Sequence, residues 1–132
     1  TTRGVIRIRL LVDEAPRTAK NFVDLVKSGF YNGNSVHRVV PNFVSQAGDP
    51  RGDSSGGPGY TIPCEINMHR YGEGTVGMAL AGRDTGGSQF FIAHAPQPHL
   101  DGLYTTFGEV IEGLPLASGL SEGDVILEAR AE

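Results

Sequence analysis

The stretch HRVVPNFVSQAGD, residues His37–Asp49, predicts the central hairpin of this protein. Its β-branched and aromatic residues favour two short strands, Ser35–Val40 and Phe43–Ala47. A tight turn at Pro41-Asn42 joins them, since proline and asparagine are common turn residues. The rest of the chain is interpreted outward from this hairpin.

Two polar side chains interrupt the hairpin strands. Arg38 carries a guanidinium and Gln46 an amide, groups that buried strands usually avoid because their desolvation is costly. The simplest interpretation places both on a solvated outer face. However, a second stretch, Ser88–Ile92, again sets an amide beside aromatic residues, and HLDG follows at His99–Gly102. This repetition favours a functional site.

Three motifs, VHRVVPNFVSQAGD, GMALAGRDTGGSQFFI and HLDGLYTTFGEV, occur in this order along the chain. In content and spacing they resemble the cyclophilin family of peptidyl-prolyl cis/trans isomerases, and the resemblance runs from about Arg3 to Asp124. The short layout is more similar to bacterial members than to eukaryotic ones. The resemblance implies an enzyme that speeds rotation about Xaa-Pro bonds in peptides and unfolded protein clients.

Composition and charge restrict the alternatives. The chain has 132 residues, of which 39% are hydrophobic and 20% charged, as in a globular protein of one domain. Eleven basic residues face 15 acidic ones without a basic cluster, so we expect no nucleic-acid partner. No apolar run reaches the length of a membrane span, so we expect no membrane partner.

The ends of the chain suggest a piece of a larger protein. It begins at Thr1 without Met and enters a strand almost at once, so we expect residues 1–132 to be a single domain cut from a longer chain. A missing N-terminal part could carry a targeting segment, which leaves the compartment open, with the cytoplasm slightly favoured. Cys64 is the only cysteine, which excludes an internal disulfide. We expect a monomer.

The remaining pattern is mainly β. Beyond the hairpin, it predicts a half-buried strand at Val5–Val12, a helix from Pro16 to a stop at Gly29 and a short helix at Leu114–Gly119. Further strands are predicted at Tyr60–Ile62, Thr75–Ala79, Gln89–Ala93, Thr105–Val110 and Asp124–Arg130. These elements favour an antiparallel barrel or sandwich. The resemblance implies a closed eight-stranded antiparallel β-barrel capped by two helices, whose filled interior leaves the site to an outer groove.

Three other segments carry weaker signals. Gly48–Gly59 is too rich in glycine and polar residues for regular structure, and it predicts a flexible wall beside a binding groove. Asn67–Glu73 is a polar connection between strands. Acidic residues dominate after Thr85 and basic ones slightly exceed them before it, which predicts first and last strands side by side with opposite charges facing.

The resemblance implies a role for each site residue. Arg38, Phe43 and Gln46 match the family's catalytic set, in which the arginine assists loss of amide resonance and the glutamine holds it in place. The implied substrate-binding residues form the apolar pocket for the proline ring, its rim, a polar wall and a strand that hydrogen-bonds the peptide. They are Val44, Ala79, Leu80, Ala81, Gln89, Phe91, His99, Leu100 and Tyr104.

Isomerisation suits these residue types. The barrier of about 18–20 kcal/mol comes from amide resonance, and no nucleophile, metal or cofactor is needed to lower it. A guanidinium directed at the prolyl nitrogen stabilises the lone pair that twisting localises there. The histidines show no metal-ligand spacing and Ser88 lies outside a nucleophile-elbow pattern, so we expect no metal, no cofactor and no hydrolase chemistry.

The chain departs from the better-known eukaryotic pattern at four positions. His99 stands where those members have tryptophan, Tyr104 where they have histidine, Val44 for methionine and Leu80 for asparagine. Because the tryptophan is a main cyclosporin contact in the family, we expect weak cyclosporin binding. The altered rim also keeps an alternative open, a non-catalytic module of a multidomain protein that binds proline peptides.

Overall fold

Six antiparallel strands and two helices make up the fold in a computed structural model that describes residues 1–132. In chain order the elements are β1 (Arg7–Leu10), α1 (Pro16–Lys27), β2 (Arg38–Val40), β3 (Val44–Ala47), β4 (Thr75–Met78), β5 (Phe90–Ala93), β6 (Thr106–Glu112) and α2 (Leu114–Ser118). A single 3₁₀ turn, Pro98–Leu100, lies between β5 and β6. The strands are ordered β1-β6-β4-β5-β3-β2 in one sheet.

The predicted hairpin is confirmed, with a shorter first strand. Strands β2 and β3 pair in a register that sets Arg38 opposite Gln46 and Val40 opposite Val44. Asn42 takes the left-handed conformation (φ 58°) that the tight turn requires, and asparagine tolerates this conformation better than most residues.

The closed eight-stranded barrel is wrong in strand number and in closure. Tyr60–Ile62 contributes one bridge, from Ile62 to Gly86, and Asp124–Arg130 contributes one bridge, from Val125 to Ser35. The first segment ends against Pro63, which has no N–H for a ladder. The segment Asp124–Arg130 follows Gly123, whose backbone is in the left-handed region (φ 93°). This segment contacts a turn rather than an extended strand. Strands β1 and β2 therefore form the two edges of an open sheet.

Helix α1 covers one end of the sheet, as its sequence pattern predicts. Pro16 occupies the first helical position, and the chain turns at Gly29 (φ 79°), whose N–H donates to Val26 O at 3.1 Å. The Phe22 ring reaches into the core, with centroids 5.1–5.4 Å from the rings of Tyr31, Phe90 and Phe107.

Side chains of β4 and β5 alternate between two hydrophobic clusters. Met78, Phe90 and Ile92 point into the main core beneath α1, together with Phe107 from β6. Phe91 points to the opposite face, where it joins a smaller cluster. This alternation follows from the two-residue period of a strand, and it places one apolar surface outside the core.

Opposite charges do face each other between the two ends of the chain. Arg7 pairs with Glu112 at 2.9 Å and Arg9 pairs with Glu109, because β1 lies beside β6. The predicted pairing of the first strand with Asp124–Arg130 is wrong, because β6 occupies that place, although Asp124 does pair with Arg3 at 2.6 Å. Exposed pairs of this kind add little stability. Both helices fall short of the length and apolar character that a membrane span requires.

Candidate active site

A cross-strand row on the outer face of the sheet organises the site. Arg38 on β2 lies opposite Gln46 on β3, Gln46 opposite Phe91 on β5, and Phe91 opposite Gly77 on β4. Residues directly opposite in neighbouring strands have side chains on the same face, about 5 Å apart. The register therefore sets a guanidinium, an amide and an aromatic ring side by side.

A chain of hydrogen bonds runs away from the guanidinium. Arg38 Nη1 donates to Gln46 Oε1 at 3.3 Å, and Gln46 Nε2 donates to Gln89 Oε1 at 2.8 Å. Gln89 Nε2 then donates to the carbonyl oxygen of Gly56 at 2.8 Å. Gln46 is buried whereas Arg38 is exposed and makes no ion pair, so the guanidinium is oriented but still open to a ligand.

A small hydrophobic cluster includes Phe91 of the row, and we refer to it as the candidate apolar pocket. Its buried members are Val44, Tyr71, Phe91 and Leu100, with Phe43, Ala79 and Tyr104 packed against them. The Phe91 ring stacks on Tyr71 with centroids 5.6 Å apart and meets Tyr104 edge-on at 5.9 Å. Such a surface suits a ring without an N–H donor.

His99 forms part of the rim of this pocket. Its ring stacks on Phe43 at a centroid distance of 5.6 Å and an interplanar angle of 26°. His99 is exposed, whereas its neighbour Leu100 is buried in the pocket. The 3₁₀ turn that carries both residues thus supplies one wall member and one rim member.

Tyr71 belongs to the site although its segment looks merely polar in sequence. It is 2% exposed, its hydroxyl donates to Tyr104 O at 3.0 Å, and its N–H donates to Asp101 Oδ1 at 2.7 Å. Burial raises the pKa of its phenol, so the hydroxyl stays protonated. The only signal in the sequence is a large aromatic residue inside the polar stretch Asn67–Glu73.

Gly77 is the floor beneath the two stacked rings. A Cβ at this position would overlap the Tyr71 hydroxyl and the end of the Phe91 ring. Only glycine leaves room for both rings at this position of β4, so the absence of a side chain at Gly77 is required for their packing.

A second, polar concavity adjoins the row. A groove of about 720 Å³ lies between the second half of the Gly48–Gly59 loop and the segment Ala79–Ala81, and Arg38 and Gln46 line its edge. Only four of its 17 lining residues are hydrophobic, so polar residues and glycines make up most of its walls. An extended peptide crossing this groove and the candidate apolar pocket would meet a polar and an apolar half.

The backbone of Ala79, Leu80 and Ala81 is only partly used within the protein. The Ala79 N–H donates to Gln89 O at 3.0 Å, and the Ala81 N–H donates to Thr85 Oγ1 at 2.8 Å. The N–H of Leu80 and the three carbonyl groups have no internal partner. The Leu80 side chain packs toward the main core, so this residue offers mainly its backbone to the groove.

Asp49 organises the loop that forms the polar wall. The side chain is 1% exposed, and its oxygens accept hydrogen bonds from the N–H groups of Arg51 at 2.7 Å and Asp53 at 3.0 Å. Burial alone would raise the pKa of this carboxyl, but the backbone N–H groups of Arg51, Gly56, Asp53 and Ser54 outweigh it and lower the pKa to about 2. The carboxylate is therefore charged at neutral pH.

A buried polar pair lies at the ends of the same strands. His94 Nε2 and Ser45 Oγ are 2.6 Å apart, and the backbone N–H of His94 donates to the carbonyl oxygen of Phe43 at 2.8 Å. Burial lowers the pKa of the His94 imidazole, which favours its neutral form. The pair ties the start of β3, next to the pocket residue Phe43, to the end of β5.

Comparison with known proteins assigns the family. A family model described as cyclophilin type peptidyl-prolyl cis-trans isomerase/CLD matches residues 1–131. The chain belongs to this family. Two similar cyclophilins are a peptidyl-prolyl cis-trans isomerase of Synechococcus elongatus, 53% identical over 98% of this chain and 91% of the relative, and peptidyl-prolyl cis-trans isomerase B of Bacillus subtilis, 54% identical over 96% and 90%.

A solved cyclophilin supports the fold. A cyclophilin type isomerase of Cryptosporidium parvum, crystallised in the presence of the dipeptide Ala-Pro, superposes with a TM-score of 0.84 and 33% identity. The match covers 90% of this chain and 82% of that one. With this fold and these relatives, the protein is a peptidyl-prolyl cis-trans isomerase.

The structure brings most of the predicted site residues into one surface. Arg38, Gln46 and Gln89 share the hydrogen-bonded chain. The apolar residues predicted for the site gather in and around one cluster: Phe43, Val44, Ala79, Phe91, Leu100 and Tyr104. His99 stacks on the rim, and Leu80 and Ala81 line the polar groove. Their individual roles in catalysis and binding stay predictions.

Proposed function

We propose that this cyclophilin accelerates Xaa-Pro isomerisation by holding the proline ring in the apolar pocket and directing the Arg38 guanidinium at the prolyl nitrogen. Twisting the amide removes resonance and localises a lone pair on that nitrogen. A cation placed there stabilises the twisted state more than either planar isomer, which lowers the barrier.

The state of Arg38 is the observation that carries this proposal. Its guanidinium has no carboxylate partner, and the 3.3 Å hydrogen bond to Gln46 uses only one of its donors. The lack of an acidic partner is not sufficient on its own, because the exposed Arg70 also has none. In addition, Arg38 borders both the polar groove and the row that leads to Phe91.

The substrate is proposed to lie across the two halves of the site. The proline ring contacts Phe43, Phe91 and Leu100, and the residues before it extend over the polar groove. The unpaired backbone groups of Ala79–Ala81 suit the edge-on hydrogen bonding of an extended peptide. Nothing in this arrangement selects for a particular side chain of the substrate, which is consistent with unfolded protein clients that have many different Xaa-Pro sequences.

Two further expectations concern ligands and assembly. We propose that cyclosporin binds weakly, because His99 is smaller than an indole ring and lacks its apolar area. We also propose that the protein acts as a monomer. Titration with cyclosporin tests the first expectation, and sedimentation of the purified protein in the analytical ultracentrifuge tests the second.

The test of the mechanism is exchange between cis and trans forms of a short Xaa-Pro peptide, measured by NMR. We expect Arg38→Ala to lower the exchange rate by about a hundredfold, the scale at which loss of one transition-state donor is felt. Arg38→Lys should recover only part of this loss, because an ammonium keeps the charge without the planar fork.

Arg70→Ala is the matched control, since Arg70 is exposed and its guanidinium makes no hydrogen bond or ion pair. If Arg38→Ala exchanges the peptide as fast as wild type, the arginine mechanism is wrong. If the wild type binds the peptide without speeding its exchange, the chain acts as a proline-peptide binding module.

A further inference from the structure

We infer that Asp49 is a positioning residue for Arg38, acting through the carbonyl of Gly56 and the side-chain amides of Gln89 and Gln46. The inference rests on the proposed role of Arg38. It adds a residue that touches no substrate and extends the site into the loop that forms the polar wall.

The first step is the hold of Asp49 on its loop. The loop contains no helix or strand, and glycine and serine make up much of it, so little else restricts its conformation. The buried carboxylate accepts hydrogen bonds from the N–H groups of Arg51 and Asp53, and it lies against the backbone of Gly56. Hydrogen bonds from backbone amides to a charge are among the stronger ones in proteins, so this contact determines the loop's shape.

The second step is the position of Gly56. A Cβ on this residue would overlap Asp49 Oδ1, so the carboxylate lies directly against the Gly56 backbone. The same residue's carbonyl oxygen accepts the hydrogen bond from Gln89 Nε2 at 2.8 Å. The Asp49 contact at the Cα of Gly56 therefore restricts where the carbonyl of the same residue can point.

The third step is the direction of the two amides. A side-chain amide has donors on one end and an acceptor on the other, so a partner at one end decides what the other end presents. With the Gln89 NH₂ group turned to Gly56, its oxygen faces Gln46 Nε2 at 2.8 Å. That turns the Gln46 oxygen toward Arg38, where it accepts from the guanidinium.

The consequence for catalysis is geometric. If the Gly56 carbonyl moves, Gln89 loses the hydrogen bond that orients its amide. The Gln89 oxygen then no longer orients the Gln46 amide, and the Gln46 oxygen is no longer held toward Arg38. The guanidinium would remain charged and exposed but less well aimed. Displacements of about 1 Å from the reactive geometry can cost up to a hundredfold in rate. We expect a loss of about tenfold from Asp49, because it acts at the far end of the chain of contacts.

Two variants test the inference, each with a matched control. Gly56→Ala pushes the loop away from an intact Asp49, and its control, Gly72→Ala, adds a Cβ that meets no atom within 4 Å. Asp49→Asn removes the charge, and its control, Asp13→Asn, removes an exposed carboxylate that makes no hydrogen bond or ion pair in the protein. We expect both test variants to slow peptide exchange about tenfold with little change in peptide affinity, and both controls to match wild type.

A purely structural role for Asp49 predicts a different result. The variants are therefore repeated in an Arg38→Ala background, where a residue acting through Arg38 should have almost no further effect. The side-chain amide resonances of Gln46 and Gln89 should also shift in Gly56→Ala and stay in place in Gly72→Ala. These readouts apply to whichever of the two test variants folds.

The outcomes separate this inference from the proposed function. If Arg38→Ala slows exchange but Gly56→Ala and Asp49→Asn do not, the role of Asp49 is wrong and the arginine mechanism stands. If the losses multiply fully in the double variants, Asp49 acts independently of Arg38 and the inference is overturned. If Arg38→Ala has no effect, the proposed function fails first.

Discussion

The two faces of β4 and β5 use neighbouring residues for opposite purposes. Met78 and Phe90 lie opposite each other and point into the main core, while Gly77 and Phe91, one residue earlier and one later, lie opposite each other on the outer face. The inner pair fills a closed interior under helix α1. The outer pair is equally buried, but Phe91 belongs to a smaller cluster that segments outside the sheet complete.

This difference shows how one sheet can carry both stability and binding. The inner face is built from large apolar side chains held by regular elements. The outer face combines an aromatic ring with a glycine and is completed by loops that bring Tyr71 and Leu100 over it. Substitutions on the inner face should therefore change mainly unfolding, and those on the outer face mainly peptide binding and exchange.

The largest contrast is expected between two adjacent phenylalanines. Phe90→Ala should lower the free energy of unfolding by about 3–5 kcal/mol, because it leaves a cavity in a closed core. Phe91→Ala should cost less stability, since it removes contacts from a cluster of four buried residues rather than thirteen, but it should weaken binding of an Xaa-Pro peptide about tenfold or more. Urea unfolding and NMR titration measure the two effects. Equal losses of stability and affinity in both variants would remove the distinction between the faces.

Gly77 and Gly108 allow the same comparison of the two faces with substitutions that add only one methyl group. Gly77→Ala would crowd Tyr71 and Phe91 on the outer face, whereas Gly108→Ala would place its Cβ 2.9 Å from Ile8 Cγ2 and 3.4 Å from Val76 on the inner face. Overpacking typically costs about 1–3 kcal/mol. We expect both variants to lose stability and only Gly77→Ala to lose peptide affinity. An affinity loss in Gly108→Ala would show that the faces are coupled.

Acid should affect the polar wall before it affects the apolar core. The pKa of Asp49 is lowered to about 2 from an ordinary value of 3.8, so its contribution is complete at higher pH and is lost as pH falls from about 4 to about 2. The shift corresponds to about 2 kcal/mol of stability. Denaturant unfolding of wild type and Asp49→Asn should therefore differ at pH 6 and converge near pH 2. A constant difference across this range would contradict the assignment.

The smallest expected effect comes from His94 at the ends of the strands. Because burial lowers its pKa in the folded protein, the unfolded chain takes up a proton first, and stability should decline as pH falls below about 6.5. His94→Gln should flatten this slope while keeping a partner for Ser45. If the slope between pH 7 and pH 5 is unchanged in this variant, another group causes it.

Local patterns account for the parts of the molecule that were predicted well. The hairpin and helix α1 follow from turn residues, alternation and a proline at the helix start, all of which act within a few residues. The pairing of an unusual arginine with an unusual glutamine was visible because both interrupt one hairpin. Closure of the sheet was not predictable in this way, because it depends on whether distant segments stay extended where they meet.

The residues missed in sequence were those whose meaning depends on a distant partner. Tyr71 lies in a polar segment and becomes part of the pocket only through Phe91 and Asp101. Asp49 looks like an ordinary loop acid, and only the folded loop shows its carboxylate against Gly56. Neither position has a local signature, so no periodicity or spacing could single them out.

The sequence by itself determined the family, the hairpin and the chemical types in the site, because motifs and short-range patterns are written in adjacent residues. Only the tertiary structure decided which side chains share the row from Arg38 to Gly77, since that row joins the hairpin to two strands far from it in the chain. It also decided that the sheet stays open and that a loop carboxylate lies at the far end of the contacts that orient Arg38. Register between strands is a property of the whole sheet, so it cannot be derived from any one of them.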